Sequence, residues 1–349
     1  MYPALAVLQA MSGNPEVLWV GAQGGIESTL IQRAGINFKE IPAAGIHGVG
    51  IKRLPRNLSL ILRGMRASRR IISGFKPDVI LLTGGYIAFP IALAARGIPI
   101  LLIVPDIEPG LAIKAVAWFA RSIAVPIAES LNFFQNKQKV FVSGYPTRLE
   151  ISKWDRESGL KELNLTGELP VVLVFGGSKG ARSINQAMFK SLSELLKISQ
   201  VIHISGDLDW AAVETRKQLL TAGESARYHA YPYLHDQMGA ALASADLVVS
   251  RAGASILGDY PTHGLAAVLV PYPYAWRYQS VNARYLADQK AAVILEDSQL
   301  GEKLFTTIKQ LLEDPSELRK MRSAMINLSH PKAAQLIGQR LVALAGERG

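Results

Sequence analysis

The residues best suited to chemistry lie between Ala245 and Asn282. An apolar run, Leu247-Val248-Val249, ends in Ser250-Arg251-Ala252-Gly253-Ala254-Ser255, and a helical pattern follows. A small-residue turn at a helix start leaves backbone N–H groups without intrahelical acceptors. The helix dipole favours an anion there by about 0.3–1 kcal/mol, and by up to about 2 kcal/mol when partly buried. Asp259 stands one helical turn past Ser255, near the same face. That spacing suits a diphosphate on the helix start and a ribose diol on the carboxylate. It equally suits an ordinary βαβ unit with a glycine turn, and the residues alone leave both readings open.

Three other turns follow apolar runs. Thr83-Gly84-Gly85-Tyr86 ends the run Asp78 to Leu82, and Pro105-Asp106-Ile107-Glu108-Pro109-Gly110 ends the run Pro99 to Val104. Gly176-Gly177-Ser178-Lys179-Gly180-Ala181-Arg182-Ser183 ends the run Pro170 to Phe175. Loops after strand C-termini are where open α/β sheets bind ligands. Asp106 divides evenly between a site role and turn chemistry. For Glu108 the favoured role is N-capping of the helix predicted over Leu111 to Phe119. The Gly176 turn lacks a Walker ending. It reads as a phosphate or sugar cradle, or as a plain tight turn.

The elements that must position these residues follow from composition and pattern. A chain of 349 residues with 49% hydrophobic and 19% charged residues holds enough apolar material for two cores. There is no cysteine, so disulfides and thiolate chemistry are excluded, and the six histidines show no ligand spacing that would call for a metal. The net charge of +10 points to phosphates, anionic lipid or nucleic acid. With no RNP-like strand, zinc finger or basic arm, nucleic acid ranks last and is not expected as a partner. The region Val79 to Val104 is cut by Gly84-Gly85, Pro90, Arg96, Gly97 and Pro99, which suits two strands around a short helix better than a membrane span. Met1-Tyr2-Pro3 has no basic leader pattern, so a cytoplasmic protein is expected.

Along the chain, a helix is predicted from Pro3 to Met11, a strand at Val17 to Val20, a helix from Ile26 to Arg33 and a strand at Phe38 to Ile41. A parallel sheet that opens on a helix lacks its first strand and first βα turn, so a missing strand and loop are expected ahead of Met1. The alternative is a domain that begins on a helix. After Lys52-Arg53-Leu54-Pro55-Arg56 a helix runs through Ile72, carrying Arg63, Arg66, Arg69 and Arg70, with Leu58, Leu62 and Met65 at helical spacing. It reads as a core face with a basic back, or as a surface for anionic headgroups, to which each basic residue contributes roughly 1 kcal/mol. The polar stretch 149–168 reads as a linker with a short helix. Strands at Pro170 to Phe175, Val201 to Ile204, Leu247 to Val249, Ala266 to Val270 and Ala292 to Leu295 follow, and the helices from Glu302 onward finish the chain. Both halves are βαβ series, which implies two Rossmann-like domains of α/β class facing across a cleft.

Several motifs, in order and spacing, make the chain resemble the MurG family of UDP-GlcNAc transferases over nearly its whole length. They are Tyr2-Pro3-Ala4-Leu5-Ala6-Val7, Gly84-Gly85-Tyr86, Gly144-Tyr145-Pro146-Thr147-Arg148, Gly176-Gly177-Ser178-Lys179-Gly180-Ala181, Ser250-Arg251-Ala252-Gly253-Ala254 with Asp259, and Gln279 with Asn282-Ala283. The resemblance implies a GT-B fold. Residues 1–148 would form the acceptor- and membrane-facing domain, 149–168 the linker and 169–330 the UDP-GlcNAc-binding domain. A C-terminal helix over 331–349 would pack back toward the first domain. The activity implied is inverting transfer of GlcNAc to lipid I, giving lipid II, by a peripheral protein on the cytoplasmic face of the bacterial plasma membrane.

By position in the family, Arg148 and Ser178 touch the donor diphosphate, Ala254, Ser255 and Ile256 hold the phosphates, and Asp259 takes the ribose. His235 and Met238 frame the uracil, and Gln279 reads the GlcNAc hydroxyls. Gly84, Gly85 and Tyr86 face the acceptor, while Arg63, Arg66, Leu62 and Met65 face anionic membrane. No cofactor and no tightly bound metal are implied. The chain departs from the family in four places. It starts just past the N-terminal glycine-rich loop and its histidine. Ile103-Val104-Pro105-Asp106 replaces a His-Glu-Gln-Asn loop, which leaves Asp106 as the candidate catalytic base. Asp259 stands for a Glu, and Tyr274, Ala275, Trp276 and Tyr278 replace polar residues near Gln279. A transferase with another lipid acceptor, a non-catalytic UDP-sugar-binding protein docked on the membrane, and a UDP-sugar epimerase remain as alternatives.

Overall fold

The structure is a computed structural model that describes residues 1–25, 28, 31–32, 34–44, 54–177, 180–274 and 277–347. The chain divides into two units, Met1–Pro146 with Lys332–Gly349, and Thr147–Pro331.

The first unit opens on α1 (Tyr2–Ala10), with a proline in its first turn, where a missing N–H costs nothing. β1 (Leu18–Ala22) pairs in parallel with β2 (Asn37–Ile41). Next come α2 (Leu54–Phe75), β3 (Ile80–Leu82), α3 (Ala88–Ala94), β4 (Ile100–Ile103), α4 (Leu111–Ala117), β5 (Ser122–Val125) and β6 (Val140–Val142). β3 to β6 form a parallel sheet in chain order, separate from the β1–β2 pair. β4 and β5 are buried along their whole length, as strands covered on both faces must be. Leu82, Ile100, Leu102 and Ile123 pack with Ile71 and Ile72 of α2 on one face. Leu101, Ile103 and Ala124 pack with Val7 of α1 and with Ile337, Leu341 and Leu344 of the C-terminal helix Ala333–Gly346 on the other. Among the described residues no helix is long and apolar enough to cross a membrane.

α2 differs from the core-face reading of its leucines. The side that meets the unit carries Asn57, Ile61, Gly64 and Ser68, all buried, while Leu58 and Leu62 are 54% and 46% exposed. Met65 is half-buried, and Arg63, Arg66, Arg69 and Arg70 are exposed. The packing therefore chose a face of small and polar residues around Ile61 over the leucine stripe. At Gly64 a Cβ would come within 2.3 Å of the Pro42 carbonyl oxygen, an approach that larger residues forbid.

The second unit contains β7 (Val171–Phe175), β8 (Gln200–Ile204), β9 (Tyr228–Tyr231), β10 (Leu247–Ser250), β11 (Ala266–Leu269) and β12 (Ala292–Ile294). All are parallel, in the order β12-β11-β10-β7-β8-β9. The helices used below are α5 (Arg182–Ile198), α6 (Ile256–His263), α7 (Tyr278–Asp288), α8 (Leu300–Glu313) and α9 (Pro315–Ile326). Val172 and Val174 of β7, Ile184 and Met188 of α5, and Leu304 and Ile308 of α8 share one core. β9 was not expected, because Tyr-His-Ala-Tyr at a sheet edge carries no apolar run.

The stretch 149–168, expected as a linker, belongs to the second unit, and the boundary falls between Pro146 and Thr147. Its helix Arg156–Glu162 crosses Met238–Ser244 so closely that a Cβ on Gly159 would meet the Ala240 carbonyl oxygen at 2.7 Å. Arg156 donates to the Ser244 carbonyl at 2.7 Å and to Asp246 Oδ2 at 2.9 Å. Asp246 also accepts from the Val171 amide at 2.9 Å and from Arg322 of α9 at 3.2 Å. One carboxylate thus joins this polar stretch, the first residue of β7 and α9, which a local reading of polarity could not reveal.

Candidate active site

The strand order of the second unit reverses between β7 and β10, where Phe175 and Ser250 lie in register. The chain therefore leaves both strands at the same level and turns to opposite sides of the sheet. Such a switch point opens a crevice at the carboxyl ends of the strands, where this sheet class binds nucleotides.

The turn after β7 is shaped by Gly180. Its φ is +72°, and a Cβ there would lie 2.2 Å from the Ser205 carbonyl oxygen, so both conformation and space demand glycine. Ser178, expected at the donor diphosphate, and its neighbour Lys179 lie outside the described residues.

The turn after β10 leads into α6. The Ile256 amide donates to the Gly253 carbonyl at 3.2 Å and the Leu257 amide to the Ala254 carbonyl at 3.1 Å. The amides of Ala254 and Ser255 have no protein acceptor among the described residues. They can donate to an anion, as can the Gly253 amide, which also has no acceptor among the described residues, whereas the expected Ile256 amide is already engaged. Three side chains fix the turn. Asn282 of α7 donates to the Ala252 carbonyl at 3.2 Å. The Ser250 and Tyr260 hydroxyls form a hydrogen bond of 2.5 Å. Arg251 donates to Ser183 Oγ at 2.7 Å and to the Val270 carbonyl at 3.3 Å, and it pairs with Asp297. Only 10% of the Arg251 side chain is exposed, and its guanidinium also lies 5.2 Å from the Tyr272 ring centroid. Its charge is thus committed to bracing four segments of the rim. The sequence offers no signal for this, because Ser183 and Asp297 lie 114 positions apart.

Asp259 sits in the first turn of α6. Burial raises its pKa to about 7, against the opposing pull of the Arg148 charge and a hydrogen bond from Ser255. The structure therefore brings Arg148, Ser255 and Asp259 together around the α6 start. Arg148 caps the short helix Leu149–Ser152, its carbonyl accepting from the Ile151 amide at 3.0 Å. Gln279 lies at the start of α7, and its Oε1 accepts from the Tyr272 amide at 2.9 Å, which leaves its amide N–H groups to donate elsewhere. His235 is exposed, with its ring centroid 4.6 Å from that of Tyr233, and its carbonyl accepts from the amide of half-buried Met238 at 3.4 Å. Ala275 and Trp276 lie outside the described residues, and Tyr274 is 86% exposed.

The first unit holds the other candidates. Gly84 and Gly85 follow β3 with φ of +89° and +79°, and Tyr86 is 48% exposed. Asp106 is half-buried in the loop after β4. Glu108 is buried at 5% exposure and does not cap α4: the cap is Gly110, without a side-chain bond. The expected capping role is therefore not seen, because the chain turns inward before the helix begins. Among the described residues no group of three or more His, Asp or Glu is placed to hold a metal ion.

Family models match both units: the glycosyltransferase family 28 N-terminal domain over residues 1–125 and the glycosyltransferase family 28 C-terminal domain over residues 171–337. Curated relatives named UDP-N-acetylglucosamine–N-acetylmuramyl-(pentapeptide) pyrophosphoryl-undecaprenol N-acetylglucosamine transferase cover nearly the whole chain. The protein from Roseiflexus sp. is 35% identical over 100% of this chain and 93% of its own length. That from Desulfitobacterium hafniense Y51 is 38% identical over 97% and 94%. Among solved structures, MurG from Acinetobacter baumannii is 25% identical, with a TM-score of 0.74 over 98% of this chain and 95% of that one. A UDP-GlcNAc 2-epimerase from Neisseria meningitidis shares the fold alone, at 13% identity and a TM-score of 0.67 over 98% and 96%.

Proposed function

The chain belongs to glycosyltransferase family 28, and from that premise we propose that it transfers GlcNAc from UDP-GlcNAc to the C4 hydroxyl of MurNAc in lipid I, giving lipid II for peptidoglycan synthesis. Its two parallel α/β units are those of the GT-B fold. The observation that carries the reading is full-length identity of 35% and above to relatives of that name. The chemistry of the α6 start agrees with it.

In the reaction, the acceptor oxygen attacks the anomeric carbon, the bond from that carbon to UDP breaks, and the configuration inverts. The hydroxyl proton passes to a base, a role we assign to Asp106. UDP departs with added negative charge. The open amides of Ala254 and Ser255, the α6 dipole and the Arg148 cation stabilise that charge as it develops. Asp259 accepts from the ribose hydroxyls, and Gln279 donates to those of GlcNAc. His235 and Met238 border the uracil. Purified protein with labelled UDP-GlcNAc and lipid I is expected to form a disaccharide-lipid product. Transfer to diacylglycerol but not to lipid I would overturn the acceptor assignment.

Asp259 makes donor binding depend on pH. Ribose hydroxyls bind the carboxylate, but without ligand the group keeps its proton up to about pH 7. The Kd for UDP-GlcNAc is therefore expected to weaken about tenfold from pH 8 to pH 6, since each pH unit below the pKa removes tenfold of the ionised form. In Asp259→Asn the Kd should stay level over that range. Stability follows the same linkage. The folded pKa lies above the unfolded value of 3.8, so the folded state holds the extra proton between about pH 4 and 7. Stability contributed by this group is full below pH 4, falls as pH rises to about 7, and is level beyond. Calorimetry in both proteins checks the binding slope, and an identical slope in the two would remove Asp259 from the site.

We further propose peripheral docking on the anionic, cytoplasmic face of the plasma membrane through α2. Exposed Leu58, Leu62 and Arg66 follow one another at four-residue spacing, with Arg63, Arg69 and Arg70 alongside. Replacing Arg63 and Arg66 together with serine is expected to weaken partition onto anionic vesicles by roughly 30-fold, at about 1 kcal/mol per cation. Unchanged sedimentation with vesicles would refute this placement.

A further inference from the structure

Arg148 begins a helix only one turn long, Leu149–Ser152. So short a helix cannot hold itself, and its place is set by what it touches. The Arg148 carbonyl accepts from the Ile151 and Ser152 amides at 3.0 and 3.2 Å, so the Arg148 backbone moves with the helix. Ile151 is buried. The short helix packs against α6 and against the helix Met238–Ser244. The second contact is a steric stop: a Cβ on Gly239 would lie 2.3 Å from the Glu150 carbonyl oxygen and 2.5 Å from Trp154 Cδ1.

The contact with α6 is directional. His263, the last residue of α6, donates from Nε2 to the Ile151 carbonyl at 3.0 Å. A carbonyl only accepts, so Nε2 carries the proton. Burial lowers the pKa of this ring, and both its neutral and its charged form keep the Nε2 proton on the carbonyl, so the bond persists over the range in which Asp259 titrates. No backbone amide among the described residues donates to that carbonyl, one of the orphan acceptors at the end of a helix. Asp259 and His263 stand four residues apart, on one face of α6. α6 thus addresses both ends of the short helix. Asp259 feels the Arg148 charge at one end, and His263 holds the Ile151 carbonyl at the other.

We infer that His263 is a positioning residue for the proposed transfer: by holding the Ile151 carbonyl it fixes the short helix against α6 and keeps the Arg148 cation at the α6 start. The inference rests on the reading that Arg148 stabilises the departing diphosphate. The Gly239 contact limits approach from one side but does not pull, whereas the hydrogen bond draws the helix toward α6. Without that bond the helix is free to slide, and Arg148 goes with it. A displacement of about 1 Å far from the reacting atoms costs up to about 10²-fold in rate. The two partners lie 112 positions apart, so no local pattern marks the pair.

The test compares His263→Leu, which keeps bulk and removes the donor, with His263→Gln, whose Nε2 still donates to the carbonyl, and with Arg148→Ala. Two quantities are read in the full chain: kcat for transfer to lipid I, and the titration midpoint of Asp259 by carbon-13 NMR, assigned with Asp259→Asn. In His263→Leu kcat is expected to fall about tenfold. The Asp259 midpoint should rise by about one pH unit as the cation withdraws. His263→Gln should recover most of both. Arg148→Ala combined with His263→Leu should match Arg148→Ala, because an absent cation cannot be misplaced. A purely structural role would lower thermal stability and leave the Asp259 midpoint at the parent value. That result, or rate losses that multiply in the double variant, overturns the inference. If leucine prevents folding, His263→Asn, whose amide stops short of the carbonyl, takes its place under the same criteria. A parent kcat in Arg148→Ala overturns the diphosphate reading instead, and the Asp259 midpoint still decides whether His263 places Arg148.

Discussion

Arg148→Ala is expected to lower kcat for GlcNAc transfer by about 10²- to 10³-fold, with a smaller change in the KM for UDP-GlcNAc. Charge accumulates on the departing diphosphate as the glycosidic bond breaks, so a fixed cation there is worth most in the transition state. Removing one preorganised partner of a developing anion costs about 2.7–4 kcal/mol in other enzymes. The structure places Arg148 where its charge acts on Asp259 at the α6 start. Arg251, also at this rim, is committed to Asp297 and Ser183 and cannot substitute. Loss of Arg148 also removes the pull that opposes the raised pKa of Asp259, so the pH below which binding weakens should move upward in this variant. Arg148→Lys keeps the charge and should recover part of the rate. Steady-state kinetics with saturating acceptor settles the matter: a kcat within a factor of about three of the parent would show that another group carries the diphosphate.

Asp246→Ala is expected to destabilise the second unit by about 3 kcal/mol while leaving the Kd for UDP-GlcNAc unchanged at 25 °C. Asp246 lies at the start of β10, the opposite end of the strand from the candidate site. Its side chain is 16% exposed and meets Arg156, Arg322 and the Val171 amide. Removing it leaves Arg322 and the Val171 amide without this acceptor and Arg156 with only the Ser244 carbonyl, and breaking such a network when fully buried costs about 3–5 kcal/mol. The lower end applies because the arginine side chains are 38% and 34% exposed. In urea, Cm should fall with m unchanged. Arg156→Ala leaves Arg322 on the carboxylate and should cost clearly less. Equal losses in the two variants would mean that the Arg156 contact carries the whole effect and that Arg322 and the Val171 amide add nothing.

Local patterns located most of the elements. Val171–Phe175, Ile100–Ile103 and Leu247–Ser250 are short apolar runs bounded by glycine, proline or small residues, and each is a buried strand. The pairing of strand ends with small-residue turns marked Gly176–Ser183 and Ser250–Ser255 as candidate ligand turns, with ordinary tight turns of a βαβ unit as the open alternative. The family motifs pointed to the same turns. β9 escaped because an edge strand needs no apolar run, and 149–168 read as a linker because its polar residues are held by partners far away in sequence.

The amino-acid sequence by itself determined the βαβ series, the glycine and small-residue turns and the carboxylate one helical turn beyond Ser255. These depend on residues within about one turn of each other, where side-chain shape and backbone preference act directly. Only the tertiary structure decided which face of α2 is covered, that Arg251 braces the rim, that Ala254 and Ser255 keep the open amides, and that burial lifts Asp259 to about 7. Each depends on the solvent a group loses and the partners it gains when distant segments close around it. The reach of Asn282 to the Ala252 carbonyl, 30 positions back, and of Arg251 to Ser183, 68 positions back, is set by the strand order of the sheet.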